Sequence, residues 1–563
     1  MKEDIREYSA DVLVVGGGIA GLMAAIAAAE EGASVILAEK ANTKRSGSGA
    51  TGNDHFLCYI PEKHGADMQP ILREVLDSMV GLCHDKDNTR RFLQESFEVV
   101  QLWNEWGIAM RPHGDWEFMG HAFPGRPRVW LKYDGHNQKP ALTAKAKSCG
   151  VEILNHLPVV DLCSDESGIC GALAMDVRGD DPEFVFLRAK TVVLATGSAN
   201  RMYSPAGTPG WMFNTAFCPS CTGAAQAQAW RIGANLVNME LPNRHAGPKY
   251  FSRAGKSTWI GVYRYPDGRP LGPFVTEATK EYGDITCDVW NSAFTDLMLD
   301  GRGPAYLDCS GTSPEDLEYM RWGMRGEGLT ALLDYLDEKK IDPGKRAVEF
   351  MQYEPHLIGR GLEIDIDGQT SLPGLFAAGD MVGNFRGDIG GAAVYGRIAG
   401  RQAARLAGGR SMPTSGAAAE WRKNRSEYYL SYLGQGSHDA GWREANLALH
   451  QICNDYIAAG PHRVRSATLL KAGMEYLEQL RANIRQEVRV ANSHELLRLI
   501  EVLDLMDCAE VIFHSAGERK ETRGMHIRSD FSFTNPLLSD KFLLVCKSPQ
   551  NSEVSFKWRS IRN

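Results

Sequence analysis

The chain has 563 residues, 43% of them hydrophobic, and a net charge of -8. That length exceeds one ordinary hydrophobic core, so two or three domains are expected. The acidic balance, with no basic run, excludes nucleic acid as a polyelectrolyte partner. No stretch approaches about eighteen uninterrupted apolar residues, and Met1–Tyr8 is polar and charged. Direct membrane insertion is therefore not expected; the expected location is cytoplasmic, with any membrane association made through a partner.

The first element is an apolar run, Val12–Val15, that feeds into Gly16, Gly18 and Gly21 in G-x-G-x-x-G spacing. Leu22–Ala29 continues as an Ala-rich helix, giving strand, tight turn and helix. The first glycine permits the turn, the second lets backbone approach a pyrophosphate, and the third lets the helix pack on the strand. Phosphate would sit at the helix N-terminus, where free N–H groups favour negative charge. A second strand, Ser34–Ala38, ends in Glu39, whose carboxylate can accept hydrogen bonds from a ribose.

Lys40–Phe56 is too rich in Gly, Ser and Asn for a regular element, and its small residues suit a loop against a flat cofactor. Helical patterns follow between Met68 and Trp106. Val151–Leu154, Gly171–Val177 and Phe184–Ala189 alternate like a small antiparallel sheet, and Thr191–Gly197 reads as a buried strand ending in Thr-Gly. GGRSMPTSG, from Gly408, marks a linker. Helices are expected from Ala417 to His514, and the tail from Gly517 alternates like strands. The cysteines are scattered, and the only close pair is Cys218 and Cys221, with no second CxxC to complete a metal or cluster site. Reduced thiols are expected, no metal site is assigned, and any iron–sulfur cluster would belong to another chain.

Several segments together carry a family resemblance: GGGIAGLMAA at Gly16, EKANTKRSGSGATG at Glu39, VVLATGSANRMY at Val192, GAAQAQAWRIGANLVNME at Gly223, DGRGPAYLD at Asp300, EPHLIG at Glu354, LPGLFAAGDM at Leu372 and RKETRGMHIRSDF at Arg519. The chain resembles the flavoprotein subunits of succinate dehydrogenase and fumarate reductase, and within that superfamily most closely the alpha subunit of adenylylsulfate reductase. The resemblance implies an α/β fold: a Rossmann-like FAD-binding domain of the fumarate reductase type, an inserted α+β capping domain and a C-terminal helical domain. The expected bounds are 1–244 and 351–410 for the FAD domain, 245–350 for the cap, 411–515 for the helical domain and 516–563 for the tail.

FAD is the implied cofactor. Its binding residues would be Gly16, Gly18, Ala20, Gly21, Glu39, Lys40, Ser46, Gly47, Gly52, Ala195, Thr196, Gly197, Gly379, Asp380 and Ala393. Where succinate dehydrogenases carry R-S-H, whose histidine holds FAD covalently, this chain has Arg45-Ser46-Gly47, so the flavin is expected to be noncovalent.

For the substrate the resemblance points to His245, five residues after Met239-Glu240, and to His356 in HLIG. It also points to Arg386 in a shortened loop before the next helix, and to Arg253 as the proton donor, with Lys249, Arg244 and Arg264 as nearby competitors. The implied reaction is reduction or dehydrogenation of a small organic anion at a carbon–carbon bond. Hydride would pass at flavin N5, a proton would come from Arg253, and the two histidines would polarise the anionic group. Two other readings stay open: flavin attack on sulfur in adenylylsulfate, and a role in electron transfer alone. An iron–sulfur, ferredoxin-like protein is the implied partner.

Overall fold

The computed structural model describes residues 5–78, 84–122, 125–203, 217–249, 259–272, 275–283, 293–434, 441–460 and 463–561. Its organising element is strand β1, Arg6–Val15, whose last four residues are buried. A strand buried on both faces has apolar residues at consecutive positions, and it needs covered neighbours on both sides. Those neighbours are parallel: β2, Val35–Glu39, on one side and Glu183–Leu194 on the other. Between β1 and β2 runs helix α1, Ile19–Glu30, ten of whose twelve residues are buried.

The seven-stranded sheet runs Glu152–Asn155, β2, β1, Glu183–Leu194, Gly168–Asp176, Val159–Asp165, and Leu375–Ala377 pairs with the C-terminal end of Glu183–Leu194. Three sequence expectations change here. Glu152–Asn155 belongs to the parallel edge beside β2, because helix Gln138–Ser148 carries the chain across the sheet before it. Gly168–Asp176 pairs antiparallel with Glu183–Leu194, as expected, and also with the unexpected strand Val159–Asp165. The separately read Phe184–Ala189 and Thr191–Gly197 form one strand, Glu183–Leu194. Lys190 interrupted the apolar pattern between them, but it is an outward position paired with Asp11 at 2.8 Å, as Arg188 is with Glu7 at 2.7 Å.

Helix α2, Asp388–Gly408, crosses α1 at close range. A Cβ at Gly396 would lie 2.3 Å from the Ala20 carbonyl oxygen, and one at Gly400 would lie 2.1 Å from that of Ala24. Only bare backbone lets the two helices meet so closely, which fixes the α2 N-terminus over the cofactor loop.

Between His245 and Tyr353 a second body has its own apolar core, including Trp259, Tyr263, Leu307, Met324, Leu333 and Phe350. Its antiparallel sheet runs Ala246–Pro248, Val348–Gln352, Ala305–Asp308, Val262–Arg264, with helices Pro314–Gly326 and Thr330–Glu338. Its first and second strands pair with each other, so the chain enters and leaves at one place. Helices Ala419–Leu430, Trp442–Tyr456, Ala467–Glu487 and Ser493–Glu518 follow. The last has nineteen buried residues and forms the axis of a further core. Strands form in the tail at Lys541–Lys547 and Val554–Ser560 and extend a sheet begun by Leu236–Val237. Among the described residues no helix is long and apolar enough to cross a membrane.

Candidate active site

A cavity of about 280 Å³ opens at the C-terminal ends of β1, β2 and Glu183–Leu194. That is where an open parallel sheet leaves a crevice, since connections depart to opposite faces there. Gly16 takes φ +97°, and a Cβ on it would lie 2.6 Å from the Ala195 carbonyl oxygen, so both conformation and contact require glycine. At Gly21 a Cβ would lie 1.8 Å from the Gly16 oxygen. Gly21 therefore packs helix on strand and is off the cavity wall.

The N-terminus of α1 has no side-chain cap, so its first-turn N–H groups remain available to an anion. Glu39 ends β2 with Oε2 accepting from Gly17 N–H at 2.6 Å and Oε1 from Ala41 N–H at 2.7 Å. These bonds fix the carboxylate at the loop while further lone pairs remain for hydroxyls. Lys40 lines the cavity and reaches Glu501 of helix Ser493–Glu518 at 2.8 Å. Although burial pushes it up, Lys40 and Arg201 hold the Glu501 carboxyl down at about 2. Lys139 donates to the Gly17 carbonyl, and burial lowers its ammonium to about 8 against the pull of Glu39.

Gly16, Gly18, Ala20, Glu39, Lys40, Ser46, Gly47, Ala195, Thr196, Gly197, Gly379 and Asp380 all line this one cavity. Three expected cofactor residues do not, the packing glycine Gly21 among them. Ala393 is buried inside α2, and its neighbour Ala392 faces the cavity instead. Gly52 meets the second body: its φ is +125°, and a Cβ there would lie 2.1 Å from the Gly326 carbonyl oxygen. Spacing identified the loop, but the direction of each residue in an irregular segment follows from tertiary contacts.

The substrate candidates converge from distant segments. Asn243 and His356 exchange backbone bonds at 2.9 Å, and Tyr353 N–H donates to the His245 carbonyl at 2.7 Å. This pairing stacks the two imidazoles with centroids 4.9 Å apart, and Phe217 stands edge-on to both. His245 lines the cavity. Arg386 lies beside the turn after His356, its Cβ 3.0 Å from where a Cβ on Gly359 would sit, and its Nε donates to Asp388 at 2.8 Å. Arg253 lies outside the described residues. Of its competitors, Lys249 pairs with Glu349 and Arg264 with Asp308, while buried Arg244 donates to the Ala459 carbonyl.

Sequence reasoning missed three features. Arg360 is buried four residues after His356 and donates to the Leu241 and Gly359 carbonyls. Buried His84 lies near it; burial first, then Arg360 and Arg386, hold that imidazole well below its usual range. The third is a charged cluster at the cavity edge. His55 Nδ1 lies 2.5 Å from Asp54 and 3.7 Å from Glu327 of the second body. Burial pushes the Asp54 carboxyl up, but Lys132 and His55 bring it below its ordinary value. Asp54, His55 and Glu327 have ligand atoms within 4.8 Å of one another, the spacing of a metal site. Lys132, 3.4 Å from Asp54, already supplies a cation there. The adjacent Asp-His in NDHF was the only sequence signal, and nothing local pointed to Glu327.

The glycine-cradled anion site, the β2 carboxylate and one continuous cavity fit a dinucleotide cofactor in chemistry. The FAD binding domain family matches residues 11–393, and the Fumarate reductase flavoprotein C-term family matches residues 450–562. A fumarate reductase (CoM/CoB) chain of Methanothermobacter marburgensis is 27% identical, with 95% of this chain and 97% of that protein covered. The fumarate reductase flavoprotein subunit of Escherichia coli is 25% identical, covering 93% of this chain and 89% of that protein. Among solved structures, adenylylsulfate reductase from Archaeoglobus fulgidus superposes with a TM-score of 0.83 at 21% identity, over 100% of this chain and 97% of that one. An E. coli quinol fumarate reductase gives 0.82 at 21% identity, over 99% and 98%. Both structural likenesses speak to fold. A family match across most of the chain carries more: the protein is an FAD-dependent oxidoreductase of the fumarate reductase and succinate dehydrogenase flavoprotein family.

Proposed function

We propose that the chain reduces or dehydrogenates a small organic anion at a carbon–carbon bond. The observation that carries this reading is the stacked His245–His356 pair, with His245 on the wall of the cofactor cavity and Arg386 against the turn that follows His356. FAD, when bound, supplies hydride chemistry. His245 and His356 bind and orient the anionic group, Arg386 adds positive charge beside them, and Arg253 delivers the proton. The body between His245 and Tyr353 excludes water, which strengthens each of these interactions.

The flavin is held noncovalently, because Gly47 stands where a histidine would be needed for attachment; acid precipitation then releases all yellow colour to the supernatant. Electrons pass to or from an iron–sulfur partner. Supporting this, the related fumarate reductase chains are named as subunits, and copurification from the native source is its test. A second reading, attack of reduced flavin on adenylylsulfate, draws on the short segment Met381–Gly387, which offers one arginine before α2 begins. The deciding experiment reduces the flavin chemically and screens reoxidation by fumarate, other enoates and adenylylsulfate. Rapid reoxidation by an enoate is expected. Reoxidation by adenylylsulfate with sulfite released would replace this reading with the second.

A further inference from the structure

Cys218 and Cys221 both line the FAD cavity, and no step of the proposed reaction uses them. They are separated by Pro219 and Ser220, and Cys221 N–H donates to the Cys218 carbonyl at 3.1 Å. The four residues therefore close a β-turn, for which Pro at the second position is favoured. Such a turn holds its first and last Cα within about 7 Å, close to the upper limit of about 6.8 Å for a disulfide.

The two thiols act on each other: the neighbouring Cys218, then burial, raises the Cys221 thiol well above its usual range. Cys221 is buried and Cys218 partly exposed. Cys221 Sγ lies 3.0 Å from where a Cβ on Gly197 would sit, and Gly197 is part of the flavin-facing wall. The turn is pinned on both sides. Cys218 N–H donates to Ser48 Oγ at 3.2 Å, and the Ser220 carbonyl accepts from Lys40. Cys163 likewise raises the Cys170 thiol, but these two lie in the outer antiparallel strands, off the cavity. They form an internal control.

We propose that Cys218 and Cys221 form a redox pair that exchanges two electrons with the bound FAD, closing to a disulfide and reopening. In the oxidising direction both S–H bonds break and one S–S bond forms. Two electrons and two protons pass to FAD, which is reduced. In the other direction reduced flavin returns them and the disulfide opens. The chain can then store about four electrons, two on the flavin and two on the sulfurs. This inference rests on FAD binding and not on which substrate the enzyme takes.

The test uses the FAD-loaded full chain. One sample is oxidised with ferricyanide; a second is then reduced anaerobically by light with EDTA, which reduces flavin and not disulfides directly. Both are denatured in iodoacetamide and mapped by peptide mass spectrometry, and electron uptake is followed at the flavin absorbance. A linked Cys218–Cys221 peptide after oxidation, alkylation of both after photoreduction, and uptake of about four electrons per FAD are expected. Replacing both by Cys218→Ser and Cys221→Ser should lower uptake to about two, and Cys163→Ser should leave it at four. Free thiols at both positions after oxidation would overturn the proposal. So would a disulfide that persists after the flavin is reduced, or uptake of two electrons by the unaltered chain. The mapping is made on the unaltered chain, so the result stands whether or not the serine variant folds.

Discussion

The imidazoles of His245 and His356 lie 4.9 Å apart with planes 21° from parallel, although 111 residues separate them in sequence. Their backbones are fixed by the pairing of Asn243 with His356 and of His245 with Tyr353, so neither ring is positioned by a mobile loop. Two such rings side by side repel when both are protonated, and an anion lying against them relieves that repulsion.

His356→Ala should therefore raise KM for the anionic acceptor while flavin content stays unchanged. A hydrogen bond to a charged group is worth about 1.5–3 kcal/mol, so the increase should be about ten- to hundredfold. Steady-state kinetics with a reduced viologen as donor measures it. An unchanged KM would remove His356 from anion binding.

Behind this pair, buried Arg519 donates from Nε to Glu240 at 2.6 Å and from Nη1 to Glu521 at 2.8 Å. His526 Nε2 meets the Arg519 carbonyl at 3.1 Å, and its Nδ1 lies 2.8 Å from Arg465, which also donates to the Glu240 carbonyl. The C-terminal RKETRGMHIRSDF segment thus braces the Met239-Glu240 segment that leads into His245. Arg519→Met leaves a carboxylate buried without its cation, at a cost of about 3–5 kcal/mol. Urea unfolding followed by tryptophan fluorescence should show that loss, and the double variant with Glu240→Gln should recover part of it. A loss under about 1 kcal/mol in the single variant would mean the brace is relaxed in solution.

The parts legible in sequence were those governed by local rules. β1, its glycines and Glu39 could be read because strand, turn and helix each leave a fixed pattern within thirty residues. His245 and His356 came from family spacing, and their stacking came only with the fold. Gly52 and Ala393 were misplaced because spacing identifies a loop or helix but not which way a residue faces. Glu327 left no signal at all: it belongs to the end of helix Pro314–Gly326 and reaches His55 only through tertiary packing. Lys190 misled in the opposite sense, interrupting an apolar pattern although its strand is continuous.

Lys139 gives a pH dependence. Burial lowers its ammonium from 10.5 to about 8, so the fold disfavours the charged form. Above 10.5 neither folded nor unfolded chain carries the charge, and below 8 both do, with the folded chain bearing the cost. Its contribution to stability therefore rises with pH between 8 and 10.5, by about 3 kcal/mol in total. In Lys139→Met that rise should disappear, as seen by subtracting urea-unfolding free energies of the variant from those of the parent at each pH. FAD diphosphate against the same glycine loop favours the ammonium, so loading FAD near pH 9 should take up protons in weakly buffered solution. A difference curve flat from pH 8 to 10.5 would show that Lys139 stays solvated.

The contact between Gly52 and Gly326 joins the flavin loop to the body that covers it. At φ +125° any side chain on Gly52 is strained, and its Cβ would meet the Gly326 oxygen at 2.1 Å. Thr51 Oγ1 also donates to the Glu327 carbonyl at 2.9 Å, and a Cβ on Gly328 would lie 2.5 Å from Thr51. Two backbones meet here with no room for a methyl group. Gly52→Ala must therefore push the end of helix Pro314–Gly326 away from the loop, moving Glu327 off His55. The loop meets the glycine cradle five residues earlier, at Gly47, where a Cβ would lie 3.7 Å from the Gly18 Cα, so FAD should still bind. The expected outcome is retained flavin with faster iodide quenching of its fluorescence and turnover lowered about tenfold or more, because water enters the site. Loss of flavin instead, with quenching unchanged in the fraction that keeps it, would show that Gly52 serves the cofactor itself.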